Sequence, residues 1–346
     1  GHDTFGLRDA LCARGLGVRV FAGSSALPRG AEGLDAAVRF LPHAPLVIYQ
    51  QSTGWAEGAR LLEGVQGRIV VRDHGITPSR FFSASDAALR NEVRAGETQR
   101  AALASDPRIA GFLATSPVVA SELSELGAPP ERIRIVPPFT RVEALADLAP
   151  DESTLRRFLS RPADVLFVGR IAPNKGQHRI QRVVARYAAL FGEPLRVRLV
   201  GKADPRHGAY ERLLRRERGE LALEGRVQLL GEVGEAALKA IYLTSRVFLC
   251  CSEHEGFCVP LAEASWLGLP VVATHQTAVA DTLGSQGFVL PPDTDDDLVA
   301  VALRRTLHDA ALRERLVEAQ RETVRWRFSR DPFERALGAA LDGLGA

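Results

Sequence analysis

An α/β protein with two doubly wound, mostly parallel sheets is what this chain predicts, on three observations. Short apolar runs of strand type alternate with longer helical stretches along nearly the whole sequence, the pattern of a parallel sheet covered by helices. The alternation falls into two series that part near residue 150. The 346 residues also suit two domains, at a soft prior of about 150 residues each.

The first series opens on a helical stretch from Asp3 to Leu11. Strands are expected at Val18–Ala22, Leu46–Gln50, Arg68–Arg72, Gly111–Thr115 and Arg134–Val136, with helical stretches between most of them. Pro137 and Pro138 halt the last strand, and the stretch to about Pro162 reads as the inter-domain connection. The second series has strands at 164–168, 196–200, 226–230, 247–252 and 270–274, then strand-like Gly287 to Leu290. One helix is expected from Asp295 to about Arg327, and another from Pro332 to Leu344. These are two Rossmann-like halves, 1–150 and 151–327, with a closing helix over 328–346. A doubly wound domain should begin with a strand, and none precedes the Asp3 helix. The chain has no methionine, not even at position 1. The expectation is therefore a processed product or a fragment of a longer polypeptide, with the first strand of the first domain missing.

Composition excludes several classes. Hydrophobic content of 46% and charged content of 25% are ordinary for a globular enzyme. A net charge of +2 gives no electrostatic case for nucleic acid. No apolar run approaches the roughly 18 residues that span a bilayer, so the expected location is cytoplasmic, with at most peripheral association at the inner face of a membrane. Cys12, Cys250, Cys251 and Cys258 form no metal-ligand spacing and are expected to be buried thiols in a reducing compartment.

The chemistry concentrates in two segments. Val165 to Val168 is a strand that breaks at Gly169 and Arg170, and the chain then runs through Asn174, Lys175 and Gly176 into a helix. Two cations beside a helix N-terminus make a place for an anion such as a diphosphate. Val247 to Ser252 is a second strand, followed by the loop Glu253-His254-Glu255-Gly256-Phe257. Pro260 suits the first turn of the next helix, and Glu263 is expected within that turn. Carboxylates accept paired hydrogen bonds from vicinal hydroxyls, so Glu255 and Glu263 can grip two sugars flanking one diphosphate.

The Arg170/Lys175 pair, with two glutamates seven residues apart at Glu255 and Glu263, resembles the donor site of retaining GT-B glycosyltransferases of family 4. The resemblance covers most of the chain. It implies two Rossmann-like domains facing a cleft, a nucleoside-diphosphate hexose as donor, of GDP-mannose or UDP-hexose type, and a closing helix that crosses back to the first domain. It further implies that Glu263 holds the ribose hydroxyls, and that Glu255 and the N–H groups of Phe257, Cys258 and Val259 orient the sugar. Gly169 and Gly256 line the same loops. The family's glycine-rich loop ahead of the first helix would survive here only as Gly1.

His74 follows the strand Arg68–Arg72, in Asp73-His74-Gly75-Ile76-Thr77-Pro78, where α/β sheets bind ligands. Similar proteins place a histidine here against the donor hexose. This chain has Gly75 where asparagine is common, and a structural histidine at a turn is the competing reading. His254 is expected to orient its loop, Gly201 to let a nucleotide approach the backbone or to make a tight turn, and Lys202 to be solvated. Arg212 to Arg218 reads as a solvated helix face.

The expected activity is hexose transfer to a hydroxyl acceptor with retention, in glycan or polysaccharide biosynthesis. Arg170 and Lys175 would neutralise the leaving diphosphate, so no metal or other cofactor is expected. The acceptor would be a glycan, a lipid-linked species or a small molecule. The rivals are a Rossmann dehydrogenase, disfavoured because Gly169 to Asn174 is not G-x-G-x-x-G, a non-catalytic glycosyltransferase-like module, and a GT-B epimerase or phosphorylase.

Overall fold

The structure is a computed structural model that describes residues 2–23, 27–82, 87–204, 206, 208–274, 277–284 and 287–345. Gly1 lies outside the described residues, and with it the expected loop remnant. The chain divides into two compact units, one of Gly1–Ser79, Arg90–Thr140 and Arg330–Ala346, the other of Arg80–Leu89 and Arg141–Ser329.

In the first unit the elements run α1 (His2–Ala13), α2 (Leu34–Phe40), β1 (Leu46–Gln51), α3 (Ala56–Glu63), β2 (Arg68–Asp73), α4 (Ala87–Ser105), β3 (Ile109–Ala114), α5 (Pro117–Glu125) and β4 (Ile133–Ile135). The strands pair in the order β1-β2-β3-β4, all parallel. Successive side chains on a strand face opposite ways, and β2 shows it. Ile69 and Val71 enter a core with Tyr49, Phe112 and Leu123, while Val70 enters another with Leu7, Leu11 and Leu113. The expected strand at Val18–Ala22 does not form; the segment makes a single bridge, Phe21 to Glu32, and its residues are only partly covered. A half-exposed segment with no longer partner has no ladder to join.

The second unit continues with α6 (Val142–Asp147), α7 (Glu152–Leu159), β5 (Ala163–Val168), α8 (Gln177–Phe191), β6 (Val197–Val200), α9 (Gly208–Glu220), β7 (Val227–Gly231), α10 (Glu235–Leu243), β8 (Ser245–Cys250), α11 (Val259–Trp266), β9 (Val271–Thr274), α12 (Val279–Leu283), β10 (Phe288–Leu290), α13 (Asp296–His308) and α14 (Ala310–Phe328). Its six parallel strands lie in the order β10-β9-β8-β5-β6-β7, so the direction of winding reverses between β5 and β8. Val165, Leu166 and Phe167 of β5 and Val247, Phe248 and Leu249 of β8 are all buried, because helices cover both faces.

Three expectations change here. The stretch to Pro162 is no open connection: α6 and α7 form, and Leu145 and Phe158 enter the core of the second unit. The single helix expected from Asp295 breaks at Asp309, whose carboxylate accepts from the Leu312 amide at 2.9 Å and starts α14. Cys250, Cys251 and Cys258 are buried, but Cys12 is exposed, since α1 turns Leu7, Ala10 and Leu11 inward instead.

The chain ends in α15 (Arg330–Leu344), which belongs to the first unit. Phe333, Leu337, Leu341 and Leu344 pack with α1, β2 and β3. A Cβ on Gly111 would come within 2.5 Å of Leu344, so β3 needs a glycine there for α15 to sit this close.

Candidate functional site

The loops after β5 and β8 lie side by side at the reversal of winding, the place where open α/β sheets bind ligands. They are tied together. The Asn174 carbonyl accepts from the amides of Glu253, at 2.7 Å, and His254, at 3.4 Å, and its side-chain amide donates to the His254 carbonyl at 3.1 Å. Asn174 is buried, and the sequence reading assigned it no role. Gly176 closes the clasp: its φ is +67°, and a Cβ would sit 2.0 Å from the Cys251 carbonyl oxygen. Only glycine meets both conditions.

This clasp brings Lys175 and Glu255 together, Nζ to Oε2 at 2.6 Å, with the side chains 16% and 6% exposed. Burial works against the charge on Lys175, but the Glu255 carboxylate more than offsets it and holds the ammonium's pKa above its ordinary value. One ammonium hydrogen is engaged, which leaves two donors. Glu255 is itself fixed from β9's loop: its amide donates to Thr277 Oγ1 at 2.7 Å, and its carbonyl accepts from the Ala278 amide at 3.3 Å.

Arg170 is exposed and has no ion pair among the described residues, so it carries the uncompensated positive charge of these loops. Its backbone is held where its side chain is not. The Gln177 side chain donates to the Arg170 carbonyl at 2.7 Å, and the Tyr210 hydroxyl donates to Gln177 Oε1 at 3.1 Å. The same hydroxyl accepts from the His178 amide at 3.2 Å, so Tyr210 takes up one of the amides at the N-terminus of α8. The amides of Phe257, Cys258 and Val259, by contrast, have no backbone acceptor among the described residues. They open α11, whose dipole favours negative charge there.

Cys258 caps α11 with φ at +75°, unusual for a residue with a side chain. Its thiol is pushed well above the ordinary range by the neighbouring Cys250 thiol and by burial, so it is neutral. Gly256 and Phe257 complete the loop, with the Phe257 ring edge-on to Phe328 at 4.8 Å. Gly201 has φ at +150°, and a Cβ there would lie 1.9 Å from the Gly169 carbonyl oxygen. Close approach to the Gly169 carbonyl accounts for the glycine at 201. Lys202 is solvated, as expected, beside Glu232 at 3.7 Å.

Glu263 lies one turn deeper in α11 than expected, because the helix starts at Val259. Burial raises its pKa, opposed by a hydrogen bond from the Tyr242 hydroxyl to Oε2 at 2.9 Å. Tyr242, on α10, is buried; it stands 21 residues before Glu263, and no sequence motif connects them.

His74 is in the first unit, at the C-terminal end of β2. Its Nε2 faces Gln50 Oε1 at 2.9 Å and Asp3 Oδ2 at 3.3 Å. Two oxygens on one nitrogen make Nε2 the protonated position, so Nδ1 carries the lone pair. Burial lowers the histidine's pKa to about 4 despite Asp3. Asp3 also holds the buried Arg72 at 3.0 Å. The turn itself is capped by Asp73, which accepts from the Gly75 amide at 2.7 Å, and not by His74. Gly75 has φ at +74°, which explains a glycine at that position.

Among the described residues, no cluster of three His, Cys, Asp or Glu side chains is placed to hold a metal ion, and no helix is long and apolar enough to cross a membrane. Residues 155–323 match the family model of glycosyl transferases group 1. The chain is 35% identical over 91 residues to the O-antigen chain mannosyltransferase B of Escherichia coli, covering 26% of this chain and 24% of that protein. It is 27% identical over 249 residues to the putative colanic acid biosynthesis glycosyltransferase WcaL of Salmonella typhimurium, covering 67% of this chain and 56% of that protein. The chain thus spans from about a quarter to a little over half the length of these relatives. The crystal structure of Anabaena Alr3699/HepE in complex with UDP-glucose is similar with a TM-score of 0.70 and 18% identity, over 89% of this chain and 81% of that one. At that identity the likeness is one of fold. Residues 155–323 thus resemble the glycosyl transferases group 1 family, and the chain has the two Rossmann-like domains of the GT-B fold.

Proposed function

We propose that the protein transfers a hexose from a nucleoside-diphosphate sugar to a hydroxyl acceptor, with retention of configuration, in the assembly of a glycan or polysaccharide. The observation that carries this is the Lys175–Glu255 pair, held at the winding reversal beside the open amides of Phe257 to Val259. The relatives named above are an O-antigen chain mannosyltransferase and a putative colanic acid biosynthesis glycosyltransferase, and HepE was crystallised in complex with UDP-glucose. The donor here is of that class, with GDP-mannose or a UDP-hexose as the sugars to test first.

The α11 amides take the diphosphate, and Lys175 and Arg170 neutralise the charge that grows on it as the glycosidic bond breaks. Glu255 plays two parts, fixing the Lys175 ammonium and accepting from hexose hydroxyls. Glu263 takes the ribose diol. Among the described residues, no second carboxylate is paired with Glu255 as a nucleophile and acid would require. Attack therefore comes from the face the phosphate leaves, and the phosphate oxygen takes the acceptor's proton. Two cations do the work a metal would do, so the reaction is metal-independent, in the cytoplasm.

A panel of nucleotide sugars, scored for nucleoside-diphosphate release and anomeric configuration of the product, tests this reading. Release of nucleotide with a retained anomer is expected, in the presence of chelator as in its absence. Thermal stabilisation by nucleotide without release from any donor would sink it, and chelator-sensitive activity restored by a divalent ion would remove the metal-independent part.

A further inference from the structure

Tyr242 shares a hydrogen bond with a carboxylate of the site yet belongs to the core of the second unit. Its ring is 1% exposed and stacks on Phe248 with centroids 6.4 Å apart. Packing alone would be served by phenylalanine, and a hydroxyl in an apolar core is costly unless it is bonded. Its close acceptor is Glu263 Oε2 at 2.9 Å, and the Pro260 carbonyl, at the start of the same helix, is 3.5 Å away. Glu263 Oε1 has no protein donor among the described residues.

We propose that Tyr242 is a positioning residue for ribose recognition: its hydroxyl pins Oε2 of Glu263 so that Oε1 is presented to the ribose diol in one orientation. This rests on the ribose role given to Glu263 above. The rigid ring matters because a carboxylate on a three-torsion side chain loses freedom when it binds, and an anchor already in place reduces that loss. Specificity follows from the same geometry. A fixed, half-buried carboxylate is left with an unmet acceptor by a 2′-deoxyribose, whereas a mobile one can turn to solvent.

The charged and titratable groups facing Glu263 are Tyr242 and Glu235 from α10 and Arg141 from the start of α6. Tyr242 and Arg141 favour the carboxylate, while burial and Glu235 favour the acid. Loss of the hydroxyl should therefore move the acid limb of nucleotide binding to higher pH. A filler of the core would show no such movement.

The test uses UDP, GDP and their 2′-deoxy counterparts as probes, titrated calorimetrically from neutral to mildly acidic pH against the parent, Tyr242→Phe, Glu263→Gln and Glu263→Ala. Tyr242→Phe should weaken the ribonucleotide by about tenfold, the scale of one hydrogen bond to a charged group. It should also reduce the preference over the deoxy form and raise the pH of the acid limb; with a donor sugar, the loss should fall in KM more than in kcat. Glu263→Gln keeps an acceptor for the tyrosine but cannot titrate, so its acid limb should flatten. If Glu263→Ala weakens binding while Tyr242→Phe matches the parent in affinity, sugar preference and pH dependence, the positioning role is wrong and the ribose role stands. If Glu263→Ala binds as the parent does, both fall.

Discussion

Lys175 and Arg170 look equivalent in sequence, two cations bracketing one loop, but their surroundings give them different work. Lys175 is paired with Glu255 and adds little net charge, whereas Arg170 is exposed and unpaired among the described residues. Lys175→Ala strands a buried carboxylate and removes the donor proposed above for the diphosphate. It should lower kcat by a factor corresponding to roughly 2.7–4 kcal/mol, read from donor turnover. Glu255→Gln should abolish transfer while nucleotide affinity, measured by calorimetry, survives. Equal turnover by both variants and the parent would refute the assignment. Gly176→Ala has a structural outcome: a positive φ and a Cβ driven into the Cys251 carbonyl should cost more than about 1 kcal/mol in a denaturant titration, with the Asn174 clasp lost alongside.

Each of the two site loops is local in sequence, yet the reversal of strand order is what makes them neighbours. β5 pairs with both β6 and β8, so the loop after β5 meets one that follows eighty residues later. The strands themselves were legible, since fully buried parallel strands read as apolar runs. Val18–Ala22 misled because an apolar run is necessary and a partner strand is not visible in it. The start of α8 has a contact that was not legible for a related reason: the tyrosine that accepts from the His178 amide comes from α9, 32 residues away. Asp309 could have been noticed, as an acidic cap inside a long helical pattern. Asp309→Ala should cost about 1 kcal/mol of stability, seen as a lower denaturation midpoint with the slope unchanged.

The two units share a dependence on pH. His74 in one and His178 in the other are each lowered to about 4, chiefly by burial, from an ordinary 6.5. The unfolded chain binds the extra protons between those values, so stability is full above 6.5 and falls as pH drops toward 4. Each histidine contributes a slope of at most about 1.4 kcal/mol per pH unit. Thermal melts across this window should show a steep acid loss, and His74→Gln or His178→Gln should each flatten it. A slope unchanged in both variants would place the acid sensitivity elsewhere.

By itself, the sequence determined the α/β class and the two series of strands, and it singled out Arg170, Lys175, Glu255 and Glu263 as candidates. These are local properties: apolar runs set strands, and a strand followed by a glycine and a charge sets a loop. Only the tertiary structure decided what each residue touches. Among the described residues it paired Lys175 with Glu255 and left Arg170 without an ion pair, gave one amide of the α8 N-terminus to Tyr210, left the amides of Phe257 to Val259 without a backbone acceptor, and put Tyr242 under Glu263. Such contacts join residues tens of positions apart, and they exist because buried polar groups must find partners wherever the packing of helices brings them.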